Sequence, residues 1–300
     1  MASVSAWLVA FRLRTLPLAL STIFLGSFLA AAHHSFHWLI FIYAIFTTIF
    51  LQILSNLAND YGDTVSGVDN IERIGPKRSL QAGSISLKQM KFAIILFITL
   101  SLISGILLIL ESMSTMIWGY GMACFLVGIA AIIAALKYTM GKNPYGYAGL
   151  GDISVFVFFG LVGVIGAYFL QTHTFSLLEF LPAISIGCFS TGVLNLNNLR
   201  DRENDARFGK RTLVVQWGLA TGKKYHAFLL ILGMLTALAY SLSLNSSVWK
   251  WIYLLSFIGI IRSIKVVFQN SNPASLDPEL KRLALTTLFF SILFGFGLLL

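Results

Sequence analysis

Nine apolar runs of near-membrane-spanning length divide this chain, and the basic residues between them fall almost entirely on one side. A helix needs about 20 mostly apolar residues to cross a bilayer. Runs of that order occupy roughly 16–33, 38–57, 91–110, 115–136, 153–170, 178–196, 226–244, 248–268 and 283–300. Arg12 and Arg14 precede the first run. Arg73, Lys77, Arg78, Lys88 and Lys91 follow the second, and Lys137 and Lys142 follow the fourth. Arg200, Arg202, Arg207, Lys210, Arg211, Lys223 and Lys224 read as the connection after the sixth, and Arg262, Lys265, Lys281 and Arg282 as that after the eighth. Lys250 alone lies on the other side. Basic loops mark the cytoplasm, so the alternation predicts a cytoplasmic N-terminus and a C-terminus outside. A missed run would scramble it. Backbone polar groups must be satisfied without water inside lipid, and the short alternating strands of a barrel are absent. The expectation is an all-α fold: a polytopic integral membrane protein with nine transmembrane helices in one bundle. It reads as a single domain over 1–300, placed multi-pass in the cell inner (cytoplasmic) membrane.

Composition agrees, with 57% hydrophobic and 11% charged residues. The net charge of +9 is no nucleic-acid footprint, because its residues sit in connections between membrane runs. Cys124 and Cys188 fall inside apolar runs and read as small core residues. His33, His34 and His37 share one short loop and read as a solvated turn. Residues 1–15 form an amphipathic lead-in, with Trp7 and Phe11 near Arg12 and Arg14 and no convincing cleavable signal.

The acids share the basic side, except Glu111 and Glu179. Asn56 to Arg78 reads NLANDYGDTVSGVDNIERIGPKR. Asn56, Asn59, Asp60 and Asp63 are spaced i, i+3, i+4, i+7, so they share one face if the helix continues; Asp69 follows a glycine-containing turn. Asn195 to Leu213, NLNNLRDRENDARFGKRTL, repeats the pattern: Asn59-x3-Asp63 recurs as Asn197-x3-Asp201, and Asp205 follows. Hard oxygen ligands of this kind suit Mg²⁺, usually held by one or two carboxylates together with substrate phosphates. Two such clusters could hold a diphosphate between them; the alternative is a pair of polar loops that stop helices. A third stretch, KYTMGKNPYGYAGLGD from Lys137 to Asp152, is either a flexible turn or a lid over the mouth. As a lid it would offer Lys142 to phosphate and Tyr138, Tyr145 and Tyr147 as aromatic surface. Phe156, Phe158 and Phe159 read as lipid-facing or core residues, or as the wall of a groove for an apolar chain.

Taken together, these stretches resemble the UbiA superfamily of intramembrane prenyltransferases, which carries two Asn-x3-Asp-x3-Asp motifs on helices 2 and 6 of a nine-helix bundle. The second motif matches as Asn197, Asp201 and Asp205. The first matches as Asn59 and Asp63, with its third acid arriving late as Asp69. The strings LSNLANDYGDTVSGVDN, RIGPKR, NPYGYAGLGD and NNLRD…GKRTLVV are similar to the naphthoate branch of the family. The resemblance implies transfer of a polyprenyl group from an allylic polyprenyl diphosphate to 1,4-dihydroxy-2-naphthoate, with loss of CO2 and diphosphate, in menaquinone biosynthesis. It further implies that Asn59, Asp63, Asp69, Asn197, Asp201 and Asp205 hold Mg²⁺ on the diphosphate, with Asp60 adjacent. Asp63, Asp201 and Lys142 would be catalytic. Arg12, Asn56, Tyr138 and Lys142 would contact substrate, with Arg78 and Lys210 either joining them or anchoring loops to lipid headgroups. Rival readings are another aromatic acceptor (4-hydroxybenzoate, homogentisate or haem) and a transporter of an anionic metabolite. A transporter places its ionisable groups near the bilayer midplane, whereas the acids here gather at one interface.

Overall fold

The computed structural model describes residues 2–69, 74–113, 118–244 and 247–300. Glu72 and Arg73, placed above on the polar side, lie outside the described residues. A short helix α1 (Val4–Phe11) starts at Ser3, whose side chain accepts from the Ala6 N–H. A 3₁₀ turn leads into α2 (Leu16–Ala32), which carries Pro17 at its first turn. There follow α3 (Trp38–Val65), α4 (Leu87–Ser112), opened by a Ser86–Gln89 capping box, and α5 (Trp118–Lys137). The next span runs through α6 (Gly151–Val155), a π-helical stretch over Phe156–Ile165, and α7 (Gly166–Thr172). Then come α8 (Phe180–Arg207), α9 (Leu213–Ser243), α10 (Leu254–Gln269) and α11 (Asp277–Leu299). Among the described residues these make nine segments long and apolar enough to cross a membrane, α1 and α2 counting as one.

The expected runs are all present, but helices extend well past the apolar stretches. The α3 helix continues to Val65 and α8 to Arg207, so Asn59 and Asp63 and the whole second motif are helical, in keeping with their spacing, and Asp69 lies past the end of α3. Arg200, Arg202 and Arg207 therefore belong to α8, and Lys223 and Lys224 to α9, which starts at Leu213 and kinks at Gly218. Arg262 and Lys265 sit within α10. Hydropathy marks only the lipid-facing length of a helix; hydrogen bonding carries it further into water or protein.

The most deeply packed element is α8, which lies against α9, the π-helical stretch and α11. Ile186, Phe189 and Leu196 of α8 join Leu25, Leu230, Phe290 and Phe294 in the larger core. A second core joins α1, α3 and α4 through Ala10, Leu54, Leu57 and Met90. Small residues let backbones approach in such bundles: a Cβ on Gly160 would lie 2.7 Å from the Gly187 Cα. At the end away from the Asn/Asp motifs, His33 is not a simple solvated residue, because its Nε2 stands 3.0 Å from the buried Glu179 carboxylate.

Candidate functional site

The charged end is assembled from α1, α3, α8, the start of α11 and the Tyr/Gly connection before α6. Arg12 ends α1 in the left-handed region, φ 49°. That turn redirects the chain, and the Arg12 guanidinium donates to the Asp60 carboxylate. Arg78 Nε stands 3.6 Å from the same Asp60 and 3.7 Å from Asp69. Asn56 serves as a tether: its Nδ2 donates to the Phe11 carbonyl at 2.9 Å and to Thr15 Oγ1 at 3.0 Å, fixing the α1–α2 junction on α3. Asn59 Oδ1 accepts from Thr139 Oγ1 at 3.2 Å. Gly62 leaves the room that this needs, since a Cβ there would lie 2.5 Å from the Thr139 carbonyl oxygen.

The two motifs meet at Lys210. A turn at Gly209 (φ 76°) carries the chain back after α8, and the Lys210 N–H bonds the Asp205 carbonyl at 2.8 Å. Lys210 Nζ then stands 3.9 Å from Asp63 of α3 and 3.9 Å from Asp205 of α8. Burial opposes the ammonium charge, but Asp63 and Asp205 outweigh it and hold the Lys210 pKa above its usual value. Tyr147 completes the group: its hydroxyl donates to Asp63 Oδ1 at 2.7 Å, and its ring lies under Lys210 Nζ, 5.4 Å from the centroid. Burial, then Asp63, push the Tyr147 phenol above its ordinary range. Backbone links lock the arrangement. Arg211 N–H bonds the Tyr147 carbonyl at 2.8 Å, Asn204 Nδ2 bonds the Val68 carbonyl at 3.0 Å, and Asp69 N–H bonds the Asp63 carbonyl at 3.0 Å.

Asp201 is held differently. Arg200 donates to both of its carboxylate oxygens, to Asn197 Oδ1 at 2.8 Å, and to Asp277 of α11 at 2.5 Å. Asp277 also takes Arg14 at 3.1 Å. Lys142 is exposed and forms no ion pair among the described residues. Tyr138 is partly buried behind the mouth, its phenol pushed up by burial and then by Asp152, with Asp63 and Asp205 further contributors.

Charge and spacing in the sequence mark the acids of the two motifs but not their partners. Arg200 is there one basic residue among several and Tyr147 only aromatic surface, and nothing in the sequence singles out Asp277 or Asp152. One signal was visible, since Arg200 directly precedes Asp201. Adjacent residues on a helix do not normally face each other, however, so adjacency alone does not predict the pair.

Among the described residues no three His, Cys, Asp or Glu side chains come together as a ready-made metal cage. The donors do fit an open Mg²⁺ site. Asp63 and Asp205 are hard oxygen groups from two helices that already flank one cation, Lys210 Nζ. Mg²⁺ needs only one or two carboxylates when substrate phosphates and waters complete its shell.

A bundle of membrane-crossing helices with most of its carboxylates and cations gathered at one end defines a polytopic membrane protein. The chain belongs to the UbiA prenyltransferase family, whose profile matches residues 19–299. Over 298 residues it is 44% identical to the 1,4-dihydroxy-2-naphthoate octaprenyltransferase of Haemophilus influenzae, covering 98% of this chain and 95% of that protein. The Escherichia coli protein of the same name is 41% identical over 98% of this chain and 95% of its own length. The fold is shared with a UbiA homologue from Aeropyrum pernix, with TM-score 0.69, 15% identity, and 95% and 96% of the two chains covered. It is shared also with a UbiA homologue from Archaeoglobus fulgidus bound to GPP and Mg²⁺, with TM-score 0.66, 15% identity, and 98% and 99% covered.

Proposed function

We propose that this prenyltransferase moves a polyprenyl group from an allylic polyprenyl diphosphate onto 1,4-dihydroxy-2-naphthoate, releasing CO2 and diphosphate and giving demethylmenaquinol. The observation that carries this reading is the convergence of Asp63 and Asp205 on Lys210 at the charged end of an apolar bundle. Full-length similarity to naphthoate octaprenyltransferases supports the choice of acceptor. The whole chain, 1–300, acts as one catalytic domain in the inner membrane, with its N-terminus and the site's mouth on the cytoplasmic side.

Asp63 and Asp205 would hold Mg²⁺ against the diphosphate, which neutralises charge on the leaving group as the allylic C–O bond ionises. Asn59, Asp60, Asp69 and Asn197 line the same motifs and orient these ligands. Asp201 joins them by exchanging one of its Arg200 hydrogen bonds. Lys210 and Arg12 face the remaining phosphate charge from fixed positions, where preorganised cations stabilise a developing anion without reorganising. Arg78 supports Asp60 and Asp69. Lys142, on the exposed side of the Gly141 turn, closes onto the outer phosphate. Tyr147 holds Asp63 in place. The prenyl tail extends among apolar side chains, and the electron-rich ring attacks the allylic carbon.

The test is an assay of purified protein with radiolabelled prenyl diphosphate, with and without Mg²⁺, offering the naphthoate, 4-hydroxybenzoate, homogentisate and haem in turn. Mg²⁺-dependent label in the naphthoate product, with CO2 released, is expected. Transfer to a different acceptor, or to none, would overturn the assignment.

A further inference from the structure

Among the described residues, Asp152 stands apart from the other acids at this end of the bundle. It is the second residue of α6, at the start of a membrane-crossing segment, and is 3% exposed. Asp60, Asp63, Asp69, Asp201 and Asp205 each face an Arg or Lys. Asp152 faces no cation among the described residues, and its Oδ1 is buried with no hydrogen-bond partner. The Tyr225 phenol from α9 sits against the same carboxylate. Tyr138 is the link to the diphosphate end: its hydroxyl lies against Gly151, where a Cβ would come within 2.6 Å, and it feels the charges of Asp152, Asp63 and Asp205.

A buried polar atom left unsatisfied calls for an explanation, and the chain supplies no hydrogen-bond partner for Asp152 Oδ1 among the described residues. A carboxylate only accepts hydrogen bonds. With no cation beside it, the missing partner is a donor with little charge of its own. A phenolic hydroxyl fits. It would enter between Tyr138 and Tyr225, deeper than the diphosphate.

We propose that Asp152 is a catalytic residue that binds a ring hydroxyl of the aromatic acceptor and takes its proton as the new carbon–carbon bond forms. This rests on the acceptor being a dihydroxy aromatic acid, as argued above. The ring carbon bearing the acceptor's carboxylate attacks the allylic carbon, and the allylic C–O bond breaks to leave diphosphate. The neighbouring hydroxyl O–H bond breaks towards Asp152 and that carbon becomes a ketone. The product is a β-keto carboxylate. Its C–CO2 bond then breaks, the electron pair returns through the ring to oxygen, and Asp152 gives the proton back. CO2 leaves and the hydroquinol is restored, with no oxidant needed and no net proton consumed.

The experiment pairs Asp152→Asn and Asp152→Glu with two acceptor analogues used as competitive inhibitors, the dihydroxy ring lacking a leaving carboxylate and its dimethoxy counterpart. Loss of a general base costs about 10²–10⁴-fold, so kcat for Asp152→Asn should fall at least about 100-fold, while binding of a non-hydrolysable prenyl diphosphate analogue stays unchanged. Asp152→Glu should recover part of the rate. Wild-type protein should prefer the dihydroxy inhibitor; Asp152→Asn, whose amide oxygen still accepts, should keep part of that preference, and Asp152→Leu, which has no acceptor, should lose it. Loss of diphosphate-analogue binding in Asp152→Asn, or retained preference in Asp152→Leu, would overturn the role. If Asp152→Asn does not fold, the wild-type comparison decides: equal binding of the two inhibitors rules out a hydroxyl-specific partner. Wild-type protein that prenylates no dihydroxy aromatic acid at all defeats the reading of function, whereas these results defeat only the role of Asp152.

Discussion

Arg200 grips its own neighbour in α8, Asp201, through both carboxylate oxygens: Nε reaches Oδ1 at 2.8 Å and Nη2 reaches Oδ2 at 2.6 Å. The Arg200 side chain is fully buried, and its remaining nitrogen reaches across to Asp277 of α11. One acid of the second motif is therefore charge-compensated before any substrate arrives. The bond network also ties the polar end of α8 to α11 and, through Arg14, to the start of α2.

Breaking a buried ion pair by removing one partner costs about 3–5 kcal/mol, because the other charge stays behind. Arg200→Met is therefore expected to lower stability by about that much, read as a fall in the unfolding midpoint in detergent. Asp277→Asn removes a partly exposed partner and should cost about 1 kcal/mol or less. An Arg200→Met protein as stable as wild type would show that the pair does not hold the helix ends together.

The Asp63–Lys210–Asp205 arrangement makes the two motifs one site. Asp63→Asn and Asp205→Asn should each reduce turnover by about 100-fold or more. Groups acting as a unit are strongly non-additive, so the double substitution should cost little beyond either single one. Raised Mg²⁺ should partly rescue the singles. Multiplicative losses with no Mg²⁺ dependence would separate the motifs into independent helix ends. Asp201→Asn provides the comparison: with Arg200 already on it, its loss should depend less on Mg²⁺ than that of Asp63→Asn.

Lys210 also has a pH signature. Its pKa is raised above the ordinary 10.5 by Asp63 and Asp205. A raised pKa means that the folded state holds this proton more tightly than the unfolded one. The resulting stabilisation is complete below 10.5 and fades only as pH rises past it through the folded value. The metal-free protein should therefore show no stability loss attributable to Lys210 over about pH 6–9, measured as the difference between wild type and Lys210→Met. A difference that shrinks within that window would place the ammonium pKa below its ordinary value.

Lys142 offers the opposite case, being exposed and unpaired in the described structure. Lys142→Ala should leave the unfolding midpoint unchanged and raise the KM for prenyl diphosphate by about 10-fold, the size of one exposed charge-assisted contact. An effect confined to the KM of the naphthoate would remove Lys142 from the diphosphate.

Sidedness can be checked directly. A reporter fused after Leu300 is expected outside the cytoplasm, and one fused after Arg211 inside. Both reporters on the same side would contradict the nine-span arrangement.

The sequence by itself determined the membrane class, the number of spans and the two acid-rich stretches. Each of these is a property of consecutive residues: an apolar run such as 91–110 is long enough to cross or it is not, and Asn59 and Asp63 lie four apart wherever the helix points. Hydropathy left open where α3 and α8 end, because it stops where lipid contact stops and backbone hydrogen bonding does not; the motif spacing pointed to continued helix, and the structure carries α3 to Val65 and α8 to Arg207. The sequence also did not pair the charges. Lys142 and Lys210 are equally basic on paper, yet only Lys210 is turned back by Gly209 between Asp63 and Asp205. Asp201 repeats Asp63 in the motif but meets Arg200, and Asn56, spaced like a ligand, spends its amide on the α1–α2 junction. Such pairings depend on how helices far apart in sequence cross and rotate against one another. Close packing at points such as Gly160 on Gly187 fixes those crossings, so the partners of each carboxylate were decided only in the assembled bundle.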